Sequence, residues 1–137
     1  MSRKVVFRLS GLMILLSIFF ISCEKTDPDG PSTADRDKFI GTWLGNSTGP
    51  GGTRTFNFTI TISNSAADQV IFKNFDGTGT NASIFATVSG SSFSFVSTLV
   101  GSDRYEGTGS LSNGTMSFNF TVDDGQTIES RSGTAHQ

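Results

Sequence analysis

The chain has 137 residues, ten basic and twelve acidic side chains, a formal net charge of −2, one cysteine and one histidine. That balance argues against nucleic acid or anionic lipid as an electrostatic partner, and a lone thiol can close no internal disulfide and build no cysteine-rich metal site. The length suits a single domain large enough to bury a core.

In chain order, Arg3, Lys4 and Arg8 precede an apolar run over residues 12–21, which ends in Ser22 and Cys23. A basic start, an apolar middle and a small residue before a cut are the order of a secretory signal. The run is short of the ~20 apolar residues of a spanning helix. Phe20-Ile21-Ser22-Cys23 resembles the lipobox of bacterial lipoproteins, with Phe20 where leucine is usual. The resemblance implies a signal peptide over 1–22 and acylation of Cys23. It also implies a lipid-anchored place in the cell envelope, at the outer membrane, either periplasmic or surface-exposed. An ordinary cleaved signal and an uncleaved anchor helix are the competing readings. Cleavage before Cys23 would remove 22 residues and three of the ten basic side chains, leaving seven against twelve acidic, a net charge of −5.

Residues 24–35 carry no apolar side chain larger than alanine. Such a stretch cannot bury enough surface to offset its ordering entropy, so 23–36 reads as a flexible tether. Its acidic residues resemble the export tags of surface lipoproteins in Bacteroides-type bacteria. The domain proper is expected over 37–137.

Beyond the tether the period becomes two. Phe56, Phe58, Ile60 and Ile62 alternate with Thr55, Asn57, Thr59 and Thr61, giving one apolar and one polar face. The pattern returns in Ile84, Ala86 and Val88, in Phe93 and Phe95, and in Met116, Phe118, Phe120 and Val122. Weaker runs cover 41–47, 70–74, 105–111 and 126–134. Ser89-Gly90-Ser91, Asn113-Gly114 and Asp124-Gly125 supply the turn chemistry of tight hairpins. Sixteen glycines and the absence of an apolar 3.6 period after the signal argue against helix. The expectation is an all-β domain, an antiparallel up-and-down barrel of about eight strands, with a β-sandwich as the alternative.

Asp37-Lys38-Phe39-Ile40-Gly41-Thr42-Trp43 opens the domain and resembles the Gly-x-Trp start of lipocalins and related calycins. Lys38 to Trp43, followed by Phe58-Thr59-Ile60-Thr61-Ile62 and Val70-Ile71-Phe72-Lys73-Asn74-Phe75, is similar to small lipocalin-like lipoproteins of Bacteroides-type bacteria. The resemblance implies structural roles for Gly41 and Trp43, with Trp43 closing the barrel's bottom. It also implies that Arg131 on the last strand stacks on the indole.

No constellation in the chain points to catalysis. His136 lies one residue from the end, where a frayed tail is expected, so neither a His-based triad nor a zinc site is expected. Asp76, Asp103, Glu106, Asp123, Asp124 and Glu129 fall in or beside predicted turns, where solvation and turn formation account for them. Neither Asp27-Pro28-Asp29-Gly30 nor Asp123-Asp124-Gly125 extends into a calcium loop. No cofactor and no metal are expected.

Phenylalanine stands out, with ten of thirteen beyond Cys23. Phe56, Phe58, Phe72, Phe93, Phe95 and Phe120 are candidates to line a cavity for a small hydrophobic ligand, entered past residues 48–53 and 75–80 with its floor near Trp43. The same rings equally suit a packed core, because a small barrel is readily filled by its own side chains. The functional readings are therefore a lipid-anchored barrel binding a small apolar molecule, or a filled barrel presenting loops to a protein or glycan partner. No protein partner is identifiable from the residues.

Overall fold

A computed structural model describes residues 33–137. The expected signal peptide over 1–22, the expected acylation site Cys23 and the stretch up to residue 32 lie outside the described residues. The segment expected as tether ends in structure: Thr33–Asp37 forms a short helix, α1. Its last turn passes into Phe39, whose amide donates to the Arg36 carbonyl.

Eight strands follow, β1 (Gly41–Gly49), β2 (Gly52–Ile62), β3 (Gln69–Lys73), β4 (Ser83–Ser89), β5 (Ser92–Val100), β6 (Asp103–Ser112), β7 (Thr115–Asp123) and β8 (Ile128–His136). Each pairs antiparallel with the next, and β8 returns to β1 through Leu44↔His136 to Thr48↔Ser132. The sheet is a closed up-and-down barrel, not a sandwich. Closure satisfies the ladder groups of both terminal strands, so neither is left as a bare edge.

The apolar alternation read in the sequence points inward. Trp43, Phe56, Phe58, Ile60, Phe72, Ile84, Phe93, Phe95, Phe118 and Phe120 are all buried. Ile62 departs from its pattern and is exposed, because β2 ends there and the buried position passes to Ser63. Ser63 bonds the Gln69 side chain across the β2–β3 turn. The weak run at 126–134 begins two residues later, and His136 is the last residue of β8, beside Thr115, not a frayed tail.

Inward glycines make room for the rings. Gly109 lies opposite both Phe93 and Phe118 in register, and a Cβ there would overlap the Phe93 ring. Gly133, opposite Phe118, is closed in the same way by that ring and the Asn46 carbonyl. A barrel this small accepts large rings only where neighbouring positions carry none.

The two ends differ. At one end, Phe39 and Trp43 close the barrel: the indole Nε1 donates to the Phe39 carbonyl at 2.9 Å, and the Phe39 ring meets Phe93 edge-on at 5.7 Å. The other end gathers the β1–β2 turn, the long β3–β4 connection, the β5–β6 turn and the β7–β8 loop. Residues 48–53 and 75–80 thus share one end, opposite Trp43, as the sequence led one to expect.

Candidate functional site

The β3–β4 connection folds into the barrel's open end. Asn74 and Asp76, on either side of Phe75, adopt the left-handed region (φ 59° and 54°), which asparagine and aspartate tolerate better than most residues. Asn74 secures the turn with its amide: Nδ2 donates to the Asn57 carbonyl at 2.7 Å, and Oδ1 accepts from the Gly79 amide at 2.8 Å. The chain reversal drives Phe75 downward.

The Phe75 ring then meets six others, Phe56, Phe58, Phe72, Phe95, Phe118 and Phe120, at centroid distances of 4.9–5.6 Å. Most contacts are edge-to-face, the geometry that a ring quadrupole favours. The candidate cavity-lining residues Phe56, Phe58, Phe72, Phe95 and Phe120 therefore surround a side chain of their own chain. Phe93 packs on Phe72 and Phe95 and closes the cluster toward Phe39.

Above Phe75 lies a polar layer that sequence reasoning missed. The Asp76 carboxylate is buried. It accepts from Ser47 Oγ at 2.5 Å and Arg54 Nη1 at 3.0 Å, and faces Arg131 Nε at 3.6 Å. Arg131 Nη2 donates to Ser47 Oγ at 3.2 Å and to the Gly52 carbonyl at 3.1 Å. Arg131 Nη1 is buried with no hydrogen-bond partner among the described residues, 3.6 Å from Glu129 Oε2. A buried charge demands this degree of pairing, because its desolvation is otherwise uncompensated.

Arg131 does not stack on Trp43. Its guanidinium is bonded to Ser47, four residues along β1 from the indole, or ~13 Å at the rise of a strand. The register of β8 sets this distance: Arg131 lies level with Phe120 near the open end, whereas Trp43 lies at the closed end beyond Leu44↔His136. Gly41 and Trp43 themselves sit at the start of β1, the indole buried.

Outside the ion layer is a vestibule of about 190 Å³, lined by Arg54, Asp103, Tyr105, Val122, Asp124, Thr127 and Glu129. Register explains the convergence: Tyr105, Val122 and Glu129 are neighbours in one inward row across β6, β7 and β8. Asp103 lies two residues before Tyr105 on the same face, and the β7–β8 loop supplies Asp124 and Thr127. Asp124 is held by the Gln126 and Thr127 amides and the Thr127 hydroxyl, which keep its carboxyl below the usual range. Burial, then the charges of Asp76 and Asp103, push the Tyr105 hydroxyl up to about 12, against the smaller opposing effects of Arg54 and Arg131.

Of the carboxylates read as turn residues, Asp76, Asp103, Asp124 and Glu129 thus meet at the mouth. Glu106 and Asp123 stand on the outer wall, beside Arg104, Thr121 and Ile128. A broader depression of about 410 Å³ also lies on that wall over β6–β8, lined mainly by threonine, serine and asparagine. Its charged lining is Glu106 and the buried Arg131. Among the described residues, no group of three or more histidine, cysteine or acidic side chains could hold a metal ion, and no helix is long and apolar enough to cross a membrane.

Comparison with protein-family models, curated proteins and solved structures finds no match to this chain.

Proposed function

We propose that this chain is a lipid-anchored protein of the cell envelope whose filled barrel works through its open end, as a binding module, and not by carrying an apolar ligand inside. One observation carries the reading: Phe75 occupies the centre of the ring cluster where such a ligand would sit, against six phenylalanines. A ligand would have to displace both that ring and the ion layer holding Asp76. The lipobox-like segment ending in Cys23 supports the anchor. From Cys23 to the start of α1 at Thr33 the chain can span at most roughly 35 Å. It reaches the barrel from the Trp43 end, which leaves the opposite mouth facing away from the membrane.

Two measurements test the reading. Titration of the full chain with a panel of fatty acids is expected to leave the emission of Trp43, the only tryptophan, and the melting temperature unchanged. A saturable change in either would mean that the barrel opens to an interior ligand. Replacing Cys23 with alanine should move the protein from the membrane pellet to the soluble fraction, because acyl chains would be its attachment. A Cys23→Ala protein that stayed in the pellet after salt washing would overturn the anchor.

A further inference from the structure

The β6–β7 hairpin closes on an asparagine and a glycine. The two strands pair to their last residues, Ser112↔Thr115, so Asn113 and Gly114 alone make the reversal. Both have positive φ, 50° and 75°, the combination of a type I′ turn. Both are exposed, and a Cβ on Gly114 would meet no atom within 4 Å.

Asparagine is among the thermolabile side chains, because the next backbone nitrogen can close a five-membered ring on its Cγ. The reaction needs a free side-chain amide, little bulk on the following residue and a peptide free to turn. Asn113 is the only asparagine that precedes a glycine. Asn57, Asn74 and Asn119 precede phenylalanine, whose side chain crowds the attacking nitrogen. Asn46, Asn57 and Asn119 also lie inside β1, β2 and β7, where ladder bonds hold the peptide. Asn74 has both side-chain polar atoms bonded. The Asn113 side chain makes no hydrogen bond among the described residues.

The turn also brings Asn113 close to the reactive geometry. Ring closure requires the peptide between Asn113 and Gly114 to turn over, which gives Asn113 a ψ of about −120° at its present positive φ. Those are the angles of the first central residue of a type II′ turn, and II′ closes a two-residue hairpin as I′ does. Gly114 accepts either sign of φ. One peptide flip at the tip therefore reaches the reactive state with the Ser112↔Thr115 pair intact.

We propose that Asn113 is a site of spontaneous deamidation in the folded protein, with water as the co-reactant. The Gly114 nitrogen gives up its proton and bonds to Asn113 Cγ, while the side-chain nitrogen gains a proton and leaves as ammonia. A cyclic imide then joins the two residues. Water adds to one of its carbonyls and the ring opens. Aspartate results when the Gly114 nitrogen leaves Cγ, and isoaspartate when it leaves the backbone carbonyl. Nothing is oxidised or reduced.

Each event replaces a neutral amide with a carboxylate. The new charge falls at the closed end of the barrel, in the row that runs from Thr115 through His136 to Leu44, beside Trp43. The mouth is left as it was. Asp124-Gly125, the comparable dipeptide there, is spared: its carboxylate is a poorer electrophile and is tied to the Gln126 and Thr127 amides. Because no enzyme is needed, the charged fraction at Asn113 records the age of the molecule. This inference does not depend on the proposed anchor or on the proposed role of the mouth.

The test is storage of the full chain in detergent micelles at mildly alkaline pH, followed by digestion and peptide mass spectrometry. The mass gain of an amide turned into an acid is expected first in the peptide carrying residues 113–114, resolved into aspartate and isoaspartate forms. The rate should rise with pH, since the Gly114 nitrogen must lose its proton. Asn113→Gln keeps a side-chain amide but would need a six-membered ring, and the mass gain should be lost. Phe75→Ala, far from the turn, tells the folded route from an unfolded one. It raises the unfolded fraction more than about a hundredfold, yet the rate at Asn113 should stay within about twofold of the native chain if the flip occurs in the folded hairpin. A rate that follows the unfolded fraction, earlier conversion of another asparagine, or an unchanged mass at Asn113 in a chain that stays folded would each overturn the inference.

Discussion

Asp76 and Arg131 are a pair whose value shows when one partner is removed. Both side chains are fully buried, so Asp76→Ala would leave the Arg131 guanidinium in the interior with hydroxyl and carbonyl hydrogen bonds and only the partly exposed Glu129, 3.6 Å from Nη1, as counter-charge. Breaking a buried pair in this way costs ~3–5 kcal/mol, and urea denaturation should show a loss of that size. Arg54 bonds the same carboxylate but is half exposed. Arg54→Ala should therefore cost no more than ~1 kcal/mol, and equal losses from the two variants would mean that the carboxylate is not held as described. Tyr105, the only tyrosine, offers a second residue-level check. Its folded pKa of about 12 lies above the ordinary 10.0, so the folded state holds the phenolic proton more tightly than the unfolded chain. The resulting stabilisation is complete below pH 10, falls as pH rises, and is gone above about pH 12. Absorbance near the phenolate band should stay flat through the ordinary range and then rise, together with unfolding. A normal titration around pH 10 in a folded protein would refute the burial of this side chain.

At the scale of elements, the β3–β4 connection is the piece that turns a tube of strands into a solid body. Truncating its Phe75 removes a ring packed against six others. Phe75→Ala should cost ~3–5 kcal/mol, as should Phe118→Ala on β7, while Thr59→Ala on the outer face of β2 should change stability by less than ~0.5 kcal/mol. The Phe75 variant carries a further expectation: an apolar void at the barrel centre should bind a small aromatic probe such as benzene, detectable as a rise in melting temperature absent from the native chain. No rise would mean that the surrounding phenylalanines collapse into the space. The strands themselves were legible because a period of two is local: Phe56 to Ile60 and Met116 to Phe120 name their buried face without reference to anything else. The connection was not. Phe75 lies among asparagine, aspartate, glycine and threonine, where no periodicity assigns it a side. Its place depends on Asp76 reaching Ser47, Arg54 and Arg131, contacts 22 to 55 residues apart in sequence. The likeness to a Gly-x-Trp opening led to an Arg131–Trp43 stack, yet the register of β8 puts the arginine at the other end. A large ring isolated in a polar loop was the one available signal.

The whole molecule is apolar within and hydroxyl-rich without, and this distribution decides how it meets a membrane. Around the wall, Thr53, Thr48, Ser132, Asn119, Thr108 and Ser94 form one continuous cross-strand row from β2 through β1, β8, β7 and β6 to β5. A barrel that spans a bilayer presents the opposite pattern, with an apolar band outside and polar groups in the lumen. Here the exceptions outside are few: Leu44, Ile62, Val96, Leu99 and Ile128 are exposed, Leu99 and Ile128 are separated by Arg104 and Asp123 in register, and Ile71 and Phe85 form one half-buried pair across β3 and β4. Isolated apolar residues on a surface need no partner. Attachment, on the proposed reading, therefore falls to the acyl chains alone. The Cys23→Ala chain, cut after residue 22 or not, should show no insertion of its barrel: residues 33–137 should keep their fold in buffer without detergent, and Trp43 should stay shielded from quenchers placed in the lipid of added vesicles. Quenching of Trp43 by a lipid-borne quencher would mean that the closed end of the barrel enters the bilayer. That would require the Phe39–Trp43 cap to open toward lipid, and it would overturn the picture of a water-facing body held on a short leash.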